Sequence, residues 1–239
     1  MKYFFFLFFS SLLAFVANAQ KTINDPNAEV RVVQGSFRAI QVDGGIDLYL
    51  SQGDEAVAVS ARDAETRGRI RTEITNGVLK IWYEWKQGVK LSMNISRNLK
   101  AYVSYNALEK ISASTGSDVV LYGTLKTSTL TLNISGGSDF RGAVEVDVLK
   151  VDQSGGSDID ISGKAQTLSI EASGGSDFDG YDLITDTCTA DASGGSDINI
   201  TVNKELSAEA SGASDIIWKG KATVKRSAAS GAGSVSHRS

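Results

Sequence analysis

The chain has 239 residues and a formal net charge of −4, and its 24 Lys and Arg form no basic stripe, so nucleic acid is excluded as the expected partner. A single cysteine, Cys188, leaves no intrachain disulfide and no thiolate metal cluster, and the single histidine, His237, stands two residues from the end. Glycine occurs 24 times and proline once, at Pro26, which argues for ordered turns rather than a disordered linker.

The first element is a leader. Lys2 is a short positive region, Tyr3 to Val16 is apolar, and Ala17-Asn18-Ala19 has the small-x-small form of a cleavage site. Residues 1–19 therefore read as a signal peptide and Gln20 as the mature start. No cysteine follows the apolar stretch, so no lipid anchor is expected. No later stretch reaches the ~18 apolar residues of a membrane-spanning helix. The remaining ~220 residues suffice for one elongated domain, read here as a single unit over 20–239.

Residues 30–113 carry short strand-like segments of uneven spacing. Ile70–Ile74 and Val78–Trp82 flank Asn76-Gly77, the dipeptide of a tight hairpin. Asp43-Gly44-Gly45-Ile46-Asp47 looks like a degenerate copy of a motif that becomes regular further on. These residues are expected to form irregular coils that cap a stack, because an uncovered coil end is an open sheet edge.

From 114 to 234 the chain repeats. Ser-Gly-Gly-Ser-Asp stands at 135–139, 154–158, 173–177 and 193–197, with looser copies from Ser114, Ser211 and Ser230, so the steps are 21, 19, 19, 20, 18 and 19 residues. Before each motif, apolar and polar residues alternate: Leu130, Leu132 and Ile134 against Thr131 and Asn133, then Leu168, Ile170 and Ala172 against Ser169 and Glu171. That is the period of a half-buried strand. A second short apolar stretch follows each motif, and no segment has room for a crossover helix. The expected fold is all-β: a β-solenoid, right-handed and parallel β-helix-like, of about 19 residues per coil and ~4.8 Å between coils, with a less regular N-terminal cap. The motif then marks a corner. Glycine turns the backbone where neighbouring coils crowd it, and Ser and Asp bond nearby amides. The pattern puts the aspartates outward and Phe140, Ile159, Phe178 and Ile198 inward. The tail over 227–239, small and polar, is expected to fray.

Arg31–Gly53 (RVVQGSFRAIQVDGGIDLYLSQG), Thr72–Trp82 (TEITNGVLKIW) and the Ser-Gly-Gly-Ser-Asp series together resemble a bacterial family, the auto-transporter adhesins with a head GIN domain, whose activity is largely unassigned. The resemblance covers nearly all of the mature chain. It implies an exported, solenoid-like protein, periplasmic, outer-membrane-associated or extracellular, with a role in adhesion or envelope structure. The chain shows no series of ten-residue membrane strands with aromatic girdles, the mark of a translocator barrel.

Residues with chemical potential are few. Asp118, Asp139, Asp158, Asp177, Asp197 and Asp215 form one column, and paired carboxylates are what a glycosidase needs. But a ladder of like groups is architecture, whereas catalysis needs unlike groups in one place. Adjacent aspartates ~4.8 Å apart repel by about 0.9 kcal/mol in water, so something must offset them. Asp139, Asp158, Asp177 and Asp197 are candidates for Ca²⁺, although backbone amides and Ser hydroxyls are at hand in every copy and no cofactor is required. Cys188 shares the column of Leu130, Leu149, Leu168 and Leu206 and reads as a small core residue. Trp82, Tyr83 and Trp85 are the candidate contact for a glycan or an envelope or surface protein; alternation puts Tyr83 and Trp85 on one face and Trp82 on the other. Two functions remain open: a non-catalytic exported interaction protein, and a polysaccharide lyase or hydrolase on a β-helix.

Overall fold

The computed structural model describes residues 25–85 and 97–239; the leader expected over 1–19 lies outside them. Its strands are β1 (Glu29–Arg31), β2 (Ala39–Asp43), β3 (Asp47–Gln52), β4 (Ala56–Ser60), β5 (Ile70–Thr75), β6 (Val78–Tyr83), β7 (Lys100–Tyr105) and β8 (Lys110–Ser114), then the long β9 (Val119–Ser135), β10 (Phe140–Ser154), β11 (Asp158–Ser173), β12 (Asp177–Ala192) and β13 (Asp197–Ala210), and finally β14 (Asp215–Lys219), β15 (Thr223–Ala229) and β16 (Ser234–His237). One short helix, α1 (Ala64–Arg67), is capped by the Asp63 carboxylate, which accepts from the Thr66 N–H at 2.7 Å. Among the described residues no helix is long and apolar enough to cross a membrane.

The long strands stack in parallel and in register as a β-solenoid. Phe140 faces Ile159, Ile159 faces Phe178 and Phe178 faces Ile198, while Leu149, Leu168, Cys188 and Leu206 form a second file. All of these are buried, and Asp139, Asp158, Asp177 and Asp197 are exposed, as the period-two pattern requires. The core is a stack of apolar layers that no coil could close alone. Gln153 lies within it, in the file of Ile134 and Ala172, and its amide donates to the carbonyls of Ser157 and Asp177.

The two inward residues after each corner are matched in size. They are Phe140 and Gly142, Ile159 and Ile161, Phe178 and Gly180, Ile198 and Ile200. Where the first is phenylalanine the second is glycine, because the ring takes its neighbour's space. A Cβ on Gly180 would lie 2.4 Å from the Phe178 ring.

The N-terminal strands continue the same stack in an order different from that of the chain. β2 pairs in parallel with both β6 and β8, and β3 with both β7 and β9. The β2–β3 coil is thus sandwiched between strands that follow it. The outermost pairings are antiparallel: β5 on β6, β4 on β7 and β1 on β4. Asn76 (φ 51°) and Gly77 (φ 73°) close the β5–β6 hairpin with the left-handed pair of a type I′ turn. At the other end, the tail expected to fray instead builds a last coil: β15 lies on β13 and β16 on β14. Its residues are largely exposed because no further coil covers them, but ladder hydrogen bonds to the preceding coil still order a small polar strand.

Candidate functional site

The corner explains the repeated motif. Gly155 and Gly156 have φ of 71° and 74°, a left-handed pair that side-chain-bearing residues avoid. From Gly174 onward only the first of the two is left-handed, and Ala213 and Ala232 accordingly stand at second positions. The serine before each aspartate is fully buried. Ser176, Ser196 and Ser214 donate to the carbonyls of Ser173, Ser193 and Ser211 at 2.8, 2.7 and 2.8 Å. Ser138 Oγ accepts from the Ser117 N–H of the adjacent coil at 2.9 Å, and Ser117 Oγ from the Gly45 and Ile46 N–H groups at 3.2 Å. The Asp43–Asp47 segment is therefore a corner of the same kind.

Next to the serines runs the aspartate column. Asp118 Oδ1 accepts from the Asp139 N–H and Asp139 Oδ1 from the Asp158 N–H, each at 3.2 Å, and Asp197 Oδ1 from the Asp215 N–H at 3.3 Å. Backbone amides offset part of the repulsion along the file. Burial raises the Asp177 carboxyl above its ordinary value, with the Asp158 and Asp197 charges adding to it; burial likewise raises Asp118, and burial with Asp118 raises Asp47. Each turn carries more than the one carboxylate expected from the motif. Asp160 and Asp179 form a second file, with Arg141 paired to Asp160 at 3.2 Å. Asp152, Glu171, Asp191 and Glu209 form a third on the other side of the corner. A groove of about 430 Å³ follows the first two files and is lined by seven aspartates and one arginine. Among the described residues no group of three or more His, Cys, Asp or Glu has an arrangement that would hold a metal ion.

These carboxylates set the pH response. A raised carboxyl binds its proton more tightly in the folded chain, so stability grows as pH falls from neutral toward the unfolded value of 3.8. Asp63, held at about 2 by the Thr66 amide, and Asp25, whose carboxyl the Tyr102 hydroxyl helps to lower, act oppositely and withdraw stability below that value. The Tm is expected to rise as the pH falls from neutral toward about 4 and to fall below that. Asp177→Asn should raise the Tm at pH 7 by ~2 °C, from a relief of under ~1 kcal/mol after screening, and the gain should vanish at pH 4. A lowered Tm in this variant, together with a fall on adding chelator to the unmutated chain, would establish a bridging cation instead.

Toward the N-terminal end the second file changes character. Ala58, Tyr102, Tyr49 and Val120 occupy the outward positions continuous with Arg141 and Asp160. The Tyr49 ring stacks on Tyr102 at 5.3 Å and 18° and on Tyr122 at 6.2 Å and 15°. Tyr102 donates its hydroxyl to Asp25 at 2.8 Å. Tyr122 is 45 % exposed. This stack was not singled out in the sequence. Tyr49 and Tyr102 each lie between inward neighbours, in Leu48-Tyr49-Leu50 and Ala101-Tyr102-Val103, but the three rings meet only because β2–β3 is inserted out of chain order.

Trp82, Tyr83 and Trp85 do not form one platform. Tyr83 is buried, Trp82 is half-buried on the opposite side of its strand, and Trp85 is 48 % exposed. Trp85 meets Tyr83 edge-on at 4.9 Å, and the Arg97 guanidinium lies 4.8 Å over Trp85. Cys188 is buried among the leucines of its file, which pushes its thiol well above the ordinary range and leaves it no nucleophile.

A stack of near-identical coils that presents files of like side chains is the architecture of a repeat protein of the β-solenoid class. The model of the family described as "putative auto-transporter adhesin, head GIN domain" matches residues 36–222, and the chain belongs to that family. It is similar in fold to the crystal structure of a putative adhesin from Bacteroides fragilis (TM-score 0.79, 19% identity, 88% of this chain and 96% of that one). A putative lipid binding protein from Parabacteroides distasonis (TM-score 0.66, 18% identity, 90% and 98%) and a putative adhesin from Parabacteroides merdae (TM-score 0.61, 17% identity, 90% and 98%) share the fold. No curated protein matches the chain.

Proposed function

We propose that the chain is a non-catalytic interaction protein of the exported cell envelope, adhesin-like in its action, and that it engages an envelope glycan or a surface protein through the faces of its solenoid. The observation that carries this reading is the ladder. Asp139, Asp158, Asp177 and Asp197 occupy equivalent places in successive coils, each preceded by a buried serine, whereas an active site needs one place where unlike groups converge. Family membership supports adhesion, and the leader read from residues 1–19 supports export, to the periplasm, the outer membrane surface or beyond. The acidic files argue against nucleic acid as a partner.

The test takes the mature chain from Gln20 and mixes it with bacterial envelopes and with isolated envelope polysaccharide. Co-sedimentation without new reducing ends or unsaturated sugars is the expected result. New chain ends would make the protein a lyase or hydrolase. Absence of co-sedimentation with any envelope fraction would remove the adhesin reading.

A further inference from the structure

We infer that the N-terminal end of the solenoid is a self-association surface, on which the edge strand β5 of one chain pairs antiparallel with β5 of a second copy about a two-fold axis through Thr72. This goes beyond the proposed interaction role, because it names a second copy of the chain as a partner.

An exposed strand edge presents unpaired N–H and C=O groups and is a template for another strand. Two strands end the sheet here: among the described residues β5 pairs only with β6, and β1 only with β4. Along β5, Ile70, Thr72 and Ile74 point inward. Ile70 is buried, whereas Thr72 and Ile74 stay partly exposed, and Arg71 and Glu73 point outward and are exposed.

The sequence of β5 selects the partner. A two-fold pairing keeps inward residues on one face only if the axis passes through a residue and not between two. Through Arg71 it sets arginine against arginine, and through Glu73 glutamate against glutamate, both unfavourable. Through Thr72 it sets Arg71 opposite Glu73 twice, Ile70 opposite Ile74 twice and Thr72 opposite itself. Opposite charges, paired aliphatics and Thr–Thr are cross-strand pairs that stabilise an antiparallel ladder. An isologous contact needs this self-complementarity and closes at two copies, whereas an unrelated strand draws no advantage from it.

The charged groups have capacity for the new pairs. Among the described residues Arg71 uses three N–H groups, on Glu84 and the Gly68 carbonyl, and a guanidinium has five. Glu73 accepts from the Thr75 hydroxyl at 2.8 Å and lies opposite Lys80 in register. The other edge at this end has the same form: about Val30, Glu29 falls opposite Arg31 and the exposed Val30 meets its own copy. The far end of the solenoid lacks it. β15 carries Lys225 and Arg226 and no acidic residue, so no self-pairing there gains an opposite-charge pair, and lysine on an edge discourages strand addition.

The test is sedimentation equilibrium of the mature chain from Gln20 over rising concentration, with a thermal melt of each variant. A monomer–dimer equilibrium that weakens with salt and goes no further than the dimer is expected. Glu73→Arg and Arg71→Glu should each raise the dissociation constant about tenfold or more, because each sets like charges across the axis. Mixed in equal amounts, the two variants should form a heterodimer about as tight as the unmutated dimer, since both charged pairs are then opposite in sign. The double variant Arg71→Glu/Glu73→Arg should dimerise for the same reason, and Arg226→Ala, at the far end, should change nothing. The inference falls if the unmutated chain stays monomeric at ~1 mM, if its dimer is indifferent to both single changes, or if the folded single variants fail to pair when mixed. Should a single variant not fold, the double variant decides: a dimer supports the inference and a monomer overturns it. Co-sedimentation with envelopes reads the adhesin role separately.

Discussion

Gly163→Ala should destabilise the solenoid by about 3 kcal/mol or more, lowering the Tm by roughly 10 °C. Gly163 has φ of 111°, and a Cβ there would lie 2.0 Å from the Val144 carbonyl oxygen in the preceding coil. Left-handed strain alone costs ~1–2 kcal/mol, and the clash is with backbone held by ladder bonds on both sides, so it cannot be relieved by a rotamer change. Gly175→Ala is the control. Gly175 lacks the left-handed φ, and a Cβ there meets no atom within 4 Å, so the change should lie within ~0.5 kcal/mol. Thermal melts of both variants decide the point, and equal effects would show that the bend at Gly163 is soft.

Gly180→Ala should cost about 2–3 kcal/mol, because its Cβ would enter the space of the Phe178 ring. The damage should be largely reversed by changing its partner. With Phe178→Ile in the same chain the pair approaches the Ile159 and Ile161 arrangement one coil away. A double-mutant cycle should show a favourable coupling of ~1–2 kcal/mol. Additive losses would mean that the alternation of Phe-x-Gly with Ile-x-Ile is incidental to packing.

Much of this architecture was legible beforehand because the regular coils are local objects. The alternation in Leu168-Ser169-Ile170-Glu171-Ala172 states which side chains face inward, whatever the strand pairs with. The steps of 18 to 21 residues then assign each strand its neighbour, and the Asn-Gly turn closes its hairpin within the short stretch Ile70–Tyr83. The tail was misjudged for a related reason. Composition reports how well a segment can bury itself, but β15 and β16 are ordered by ladder bonds to coils already formed.

The candidate site was less legible. The aspartate file follows from the repeat, but its second and third companions require the register of β10, β11 and β12 to bring Asp160 beside Asp179 and Glu171 beside Asp191. The aromatic residues adjacent in sequence, Trp82, Tyr83 and Trp85, are parted by the pleat, which sends alternate side chains to opposite faces. Tyr49, Tyr102 and Tyr122, separated by 53 and 20 residues (102 − 49 and 122 − 102), come together instead.

By itself the sequence determined the all-β coil, its length, its inward and outward faces and the glycine corner, since these depend on spacing and on what a residue's own backbone allows. Tertiary structure alone decided the order of the N-terminal coils. The short strands β2, β6 and β8 carry similar alternation, and each could stack on any other. Only the joint closure of the core, with β2 between β6 and β8 and β3 between β7 and β9, selects one arrangement, and with it the tyrosine stack at the head of the acidic groove.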